Sequence, residues 1–298
     1  MTDLPPSAAD PAAPAARRWR CSLAALERGD QRVGTAVPAP RWMLVGHRGP
    51  WTDKAATTPP IPDVRGALVR RLDLVGARLQ LVRRHGRALE QGADQPVILV
   101  DSVRGRVLRT TWRDPGDLVT IAEAFQDGLP DVCADPIVLV CTHGKKDVCC
   151  AIEGRLVARV LDDVLPGSVW ETTHLGGDRF AGNVAILPDG SMYGGVDGST
   201  APDVVIGHLD GRVDLDRWRG RTVWTAPEQV AVLDLLREGV SLADVVGVRS
   251  SQLEQHRFEV EVQTVSGPRW RLVARGFTEP HRLTCSGGPA VAARWTVL

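Results

Sequence analysis

PIVLVCTHGKKDVCC, residues Pro136 to Cys150, is the stretch from which the architecture can be read. Pro136 to Val140 is a continuous apolar run of strand length, rich in β-branched residues, and reads as a strand buried on both faces. It delivers Cys141 at its carboxyl end. A polar loop follows. From Asp147 to Leu165 the apolar residues Val148, Ile152, Leu156, Val160 and Val164 recur every four positions, which predicts a helix packed on a sheet. Pro166 and Gly167 stop it. Val169 to Thr173 reads as the next strand. Asn183 to Leu187 and Ser191 to Gly195 flank Pro188-Asp189-Gly190, a hairpin signal, and Ala201 to Leu209 reads as a second helix. The order is strand, helix, strand, hairpin, helix.

Upstream, the pattern is again mixed. Cys21 to Glu27 suits a short helix and Arg41 to His47 a strand, broken by Gly49-Pro50-Trp51. Val64, Leu68 and Leu72 recur every four residues and predict a helix over Asp63 to Val75. Strands are expected at Arg78 to Arg83 and Pro96 to Val103, with Arg106 to Trp112 paired to the latter across Arg104-Gly105, and a helix at Leu118 to Phe125. Downstream, Ala226 to Glu238 is a well-marked helix. Arg257 to Val265 and Arg269 to Ala274 alternate apolar and polar residues around Ser266-Gly267-Pro268, so they read as an antiparallel pair, and Val291 to Leu298 adds a strand. No internal repeat of useful strength is visible in the sequence.

Composition removes several function classes. Thirty-six basic and thirty-six acidic residues leave a formal net charge of zero, so no global field favours nucleic acid or an anionic membrane. No apolar run approaches the roughly 18 residues of a membrane span. Residues 1–20, rich in Ala and Pro, lack the apolar core of a secretory signal and read as a disordered tail. Six cysteines spread over 298 residues fit a reducing, cytoplasmic compartment better than a disulfide scaffold. Cys21, Cys133 and Cys285 stand apart and read as buried structural thiols. Cys141, Cys149 and Cys150 crowd into ten residues, and that crowding is the functional signal.

These three cysteines sit where a strand ends and a helix begins, a place that favours thiolate through the helix N-terminus and through Lys145 and Lys146. A second motif, His174-Leu175-Gly176-Gly177-Asp178-Arg179-Phe180-Ala181-Gly182-Asn183, also follows a strand; its two glycines let the backbone come close to whatever His174 and Asp178 face.

Taken in order, the two motifs resemble the sucrase/ferredoxin-like family, whose carboxyl-terminal unit is similar to the thioredoxin-like [2Fe-2S] ferredoxins. The resemblance runs from Cys21 through Gly49-Pro50-Trp51 and both motifs to about Arg221. It implies a thioredoxin-like ferredoxin domain (131–225), and with the patterns on either side the chain reads as an α/β fold with an amino-terminal α/β region (21–130) before that domain and a carboxyl-terminal helix plus antiparallel strands (226–298) after it. It also implies a [2Fe-2S] cluster between two loops, an electron-transfer or redox-sensing role rather than an enzyme's own substrate, and a redox partner protein. Aligning the first loop on Asp147 places Cys141 and Cys150 at ligand positions and leaves Cys149 as an extra thiol. Family members that use histidine resemble His-x-Gly-Gly-His in the second loop; this chain has His174 in the first place and Asp178 in the second. The fourth ligand is therefore Asp178, Cys149 or His143. Asp178 is preferred, because adjacent helical residues point about 100° apart and Cys149 would face away from the ion that Cys150 holds.

Two other readings use the same residues. A dithiol oxidoreductase would exchange disulfides through Cys149, Cys150 or Cys141, yet there is no Cys-x-x-Cys and a vicinal disulfide is strained. A zinc site of Cys141, Cys150, His174 and Asp178 suits the donor types. A glycosidase finds no support: it needs two carboxylates across a sugar bond, and Asp162-Asp163 reads as a solvated pair on a helix. Arg219-Gly220-Arg221 reads as a helix end in preference to a docking patch.

Overall fold

The computed structural model describes residues 19–87, 94–131 and 135–298. The tail expected over 1–20 lies outside the described residues as far as residue 18, and so does Cys133. After helix α1 (Cys21–Arg28), a first half runs β1 (Arg41–Gly46), α2 (Arg65–Leu74), β2 (Ala77–Arg83), β3 (Gln95–Asp101), β4 (Arg106–Trp112) and α3 (Pro115–Asp127). A second half runs β5 (Ile137–Cys141), α4 (Val148–Val164), β6 (Val169–Thr172), β7 (Val184–Leu187), β8 (Ser191–Tyr193) and α5 (Ala201–Leu209), and β9 (Trp218–Arg221) follows. The chain is thus a mixed α/β protein, as expected.

The two halves have one topology. β1 pairs parallel with β2 and antiparallel with β3, which pairs with β4. β5 pairs parallel with β6 and antiparallel with β7, which pairs with β8. Each half is strand, helix, strand, hairpin, helix. The backbone therefore carries a repeat that the residues do not display. The halves join edge to edge where β2 meets β6 antiparallel, through Val82 opposite Thr172 and Arg83 opposite Glu171, so a nine-stranded sheet runs in the order β4-β3-β1-β2-β6-β5-β7-β8-β9.

Alternation along the strands divides the core. Met43, Val45, Leu81 and Leu99 pack with Leu68 and Leu72 of α2 and with Leu118, Ala122 and Phe125 of α3. Their neighbours Trp42, Leu44, Val82 and Ile98 join Leu139, Cys141 and Leu187 in a second cluster that spans both halves. Helix α3 begins at a capping box, Asp114 with Asp117, and Pro115 occupies its first turn, where no N–H is needed. Helix α6 (Ala226–Arg237) starts in the same way from Thr225 and Glu228. It then packs on a four-stranded antiparallel sheet of β10 (Val245–Glu254), β11 (Arg257–Thr264), β12 (Gly267–Phe277) and β15 (Ala293–Val297). A small ladder of β13 (His281–Arg282) and β14 (Pro289–Ala290) lies on the return between β12 and β15.

Two expectations need correction. Helix α4 forms where predicted, but it turns a different face inward: Cys149, Cys150, Gly154, Val157, Ala158 and Leu161 are buried, whereas Val148, Ile152, Leu156 and Val164 are exposed. Each step of four residues overshoots a turn by about 40°, so the apolar set winds around the helix instead of marking one side. Likewise, Arg219-Gly220-Arg221 is not a helix end. It lies in β9, and Arg219 is fully buried.

The Pro188-Asp189-Gly190 turn forms the predicted hairpin and gives a pH-dependent contribution to stability. Burial pushes the Asp189 carboxyl up, but His208, Arg221 and the Ser191 side chain outweigh it and hold the pKa at about 2. A depressed folded value means that the stabilisation is complete above the ordinary carboxylate range and is lost as pH falls through about 2. Because the side chain keeps some exposure, Asp189→Asn should cost about 1–2 kcal/mol at neutral pH. Denaturant unfolding from pH 7 towards 2 should show that difference shrinking; a constant difference would place its origin elsewhere. No helix among the described residues is long and apolar enough to cross a membrane.

Candidate metal centre

Strand β5 carries Cys141 into the interior, and its N–H is bound to the Asn183 carbonyl at 3.0 Å. Asp147 caps α4 by accepting from the Cys149 N–H at 2.9 Å, and the first turn of that helix presents Cys150 to Cys141. Gly154 makes this approach possible. A Cβ there would lie 2.0 Å from the Cys141 carbonyl oxygen, so only glycine lets α4 pass so close to the end of β5.

The second loop brings His174 to the same place. Donor atoms of Cys141, Cys150 and His174 lie within 4.8 Å of one another. Asp178 stands beside them, its Oδ1 3.1 Å from His174 Nδ1 and 3.7 Å from Cys150 Sγ. Cys149 and His143 do not join. The Cys149 thiol turns toward Cys21 and Cys285. His143 accepts from the His174 N–H at Nδ1 (3.2 Å) and donates from Nε2 to the Thr52 carbonyl (2.5 Å). With both nitrogens engaged, it ties the two loops together.

Side chains that sequence reading passed over hold the second loop. Arg78, on β2, donates to the carbonyls of His174 (2.6 Å) and Leu175 (3.2 Å), and Gln80 adds a second bond to the His174 carbonyl at 3.2 Å. Arg219 donates from Nη1 to the Gly176 carbonyl (2.9 Å) and Asn183 Oδ1 (2.7 Å), from Nη2 to the Thr35 carbonyl (2.6 Å), and from Nε to Thr35 Oγ1 (3.0 Å). Gly177 adopts a left-handed φ of 74°, and a Cβ on it would strike this guanidinium. Gly177 thus admits Arg219 and Gly176 admits Val37, where the sequence suggested close approach to a ligand. Arg78 and Gln80 left a legible signal: two polar residues at alternate positions of an otherwise apolar strand.

The charges balance locally. Donation from Cys150 and the neighbouring His174 hold the Cys141 thiol well below its ordinary range, while the same shared proton and burial push Cys150 up. Burial raises the Asp178 carboxyl, and His174 pulls it back. Burial lowers Arg78 to about 10 and Arg219 to about 9, which leaves both protonated at neutral pH beside the thiolate. Lys145 and Lys146, expected to supply that charge, are exposed. Positive charge reaches the thiolate from the half-buried Arg78 and the fully buried Arg219. The donor set, two thiolates, an imidazole and a carboxylate, fits iron or zinc, with His174 as its partly exposed edge.

A family model described as sucrase/ferredoxin-like matches residues 33–220. The chain belongs to the sucrase/ferredoxin-like family. Among curated relatives of this family member is Altered inheritance of mitochondria protein 32 of the yeast Meyerozyma guilliermondii, 35% identical over 101 residues, which cover 29% of this chain and 34% of that protein. The chain thus matches about a third of the relative's length. Among solved structures it is similar to a cysteine-to-serine variant of the thioredoxin-like [2Fe-2S] ferredoxin from Aquifex aeolicus, with 19% identity, a TM-score of 0.26, and coverage of 28% of this chain and 97% of that one.

Proposed function

We propose that Cys141, Cys150, His174 and Asp178 hold a [2Fe-2S] cluster and that the protein carries or senses electrons in the cytoplasm together with a redox partner protein. The convergence of Cys141, Cys150 and His174 from two loops, beside Asp178, carries this reading. A cluster there would supply one-electron transfer. The protein's own residues fix the ligands: His143 links the loops, Arg78 and Arg219 clamp the second loop and offset the negative charge, and burial excludes water. His174, the most exposed of the four, gives electrons the shortest way out, and the cationic Lys145 and Lys146 on the adjoining loop suit an acidic partner surface. A single zinc ion is a second reading, favoured by a donor set compact enough for one coordination sphere.

Protein purified without oxygen should contain iron and acid-labile sulfide in equal amounts with a visible charge-transfer spectrum. Asp178→Ala should lose most of both, whereas His143→Gln and Cys149→Ala should keep this spectrum. Zinc without sulfide would establish the second reading. Thiols that hold no metal at Cys141 and Cys150 would sink both.

A further inference from the structure

A second group of sulfur atoms lies apart from the site just described. Cys21 opens α1, Cys149 lies in the first turn of α4, and Cys285 sits on the return between β13 and β14. The last sulfur is 3.4 Å from Cys149 Sγ and 3.5 Å from Cys21 Sγ. Asp147 completes the group, with its carboxylate oxygens 3.6 and 3.7 Å from Cys21 Sγ. All four donors lie within 4.8 Å of one another. Cys21 and Cys285 fall outside the residues that match the family model.

We propose that Cys21, Cys149, Cys285 and Asp147 form a second metal site, for a single thiophilic divalent cation of the zinc type, independent of the Cys141–His174 site. The spacing fits one tetrahedral ion: metal–sulfur bonds of about 2.3 Å put neighbouring sulfurs about 3.8 Å apart, within a few tenths of an ångström of the distances observed. Electrostatics point the same way. Asp147 is buried, and among the described residues no Lys, Arg or His lies within ion-pairing distance of it. A divalent cation would compensate the Asp147 carboxylate, and the thiol protons would be released as it binds. The donors are tied to one another: the N–H groups of Cys149 (2.9 Å) and Cys285 (2.8 Å) both donate to Asp147, and the Cys21 N–H points at Cys285 Sγ (3.5 Å). An entry path exists as well, a cavity of about 500 Å³ lined by Trp19, Lys146, Asp147, Arg282 and Cys285 that opens on the half-buried Cys285.

The test uses the full chain, stripped of metal under reducing, oxygen-free conditions and then titrated with zinc alone and with cobalt alone. One tightly held equivalent that survives a chelating resin should protect Cys21, Cys149 and Cys285 together from alkylation, as mapped by mass spectrometry. Cobalt should give the intense visible bands of a tetrahedral thiolate site. Cys285→Ser, at a half-buried loop position, should remove that equivalent and those bands while leaving any iron and sulfide unchanged; Cys141→Ser should do the reverse. Continued alkylation of the three cysteines in the wild-type chain at saturating zinc would overturn the proposal, whatever the variants do. So would equal metal content and equal cobalt spectra in the wild type, Cys21→Ser and Cys285→Ser.

Discussion

Gly154→Ala is expected to weaken the fold and empty the Cys141 site in one step. On an open helix this substitution stabilises by about 1 kcal/mol, because alanine is the better helix former. Here the added methyl would meet the Cys141 carbonyl oxygen at 2.0 Å, and that atom belongs to the backbone and cannot swing aside. Strain of this kind costs about 1–3 kcal/mol or more, which outweighs the gain in propensity. Relief requires α4 to move away from β5, and α4 carries Cys150. Thermal unfolding should therefore fall by roughly 2–4 °C for each kcal/mol lost, together with a loss of bound metal. A variant as stable as the wild type with full metal content would show that the helix does not need this approach.

The second large effect is expected at Arg219. Arg219→Met keeps much of the volume but leaves the carbonyls of Thr35 and Gly176 and Oδ1 of Asn183 without their donor in a sealed interior. Leaving a buried neutral acceptor without its donor costs about 1–3 kcal/mol. Arg219→Lys should recover little, because an ammonium cannot reach three separate acceptors from one planar fork. Residues that orient ligands through hydrogen bonds typically contribute about 10–100-fold in metal affinity. Metal competition assays on Arg219→Lys should show a loss in that range even where circular dichroism reports a folded protein. Unchanged affinity would mean that the second loop holds its own shape.

Much of this could be read from the chain. Continuous apolar runs and turn residues placed β5, α4 and the hairpin at Asp189, because those signals are local. The Cys141 and His174 motifs were legible for the same reason, each being a short run at the end of a strand. What escaped depends on distance. Cys21 and Cys285 looked solitary because no spacing rule links residues 264 positions apart, yet their sulfurs touch. Arg219 looked superficial because a charged residue beside glycine usually is, whereas here four hydrogen bonds offset its burial. The buried face of α4 was missed because cysteine and glycine, which line it, do not register as apolar stripe residues. The repeated topology escaped because pairing order leaves no trace in periodicity.

The contact between Cys21 and Cys285 also orders the events of biosynthesis. Every donor of the first site has been made by residue 178, and its arginine clamp by residue 219, so that site has its parts while the last quarter of the chain is still being translated. The second group lacks a sulfur until residue 285 has left the ribosome. Its formation thus registers that the chain has been synthesised past β12 and β13 and has folded back, and a chain interrupted before that point keeps the first set of donors and never gains the second.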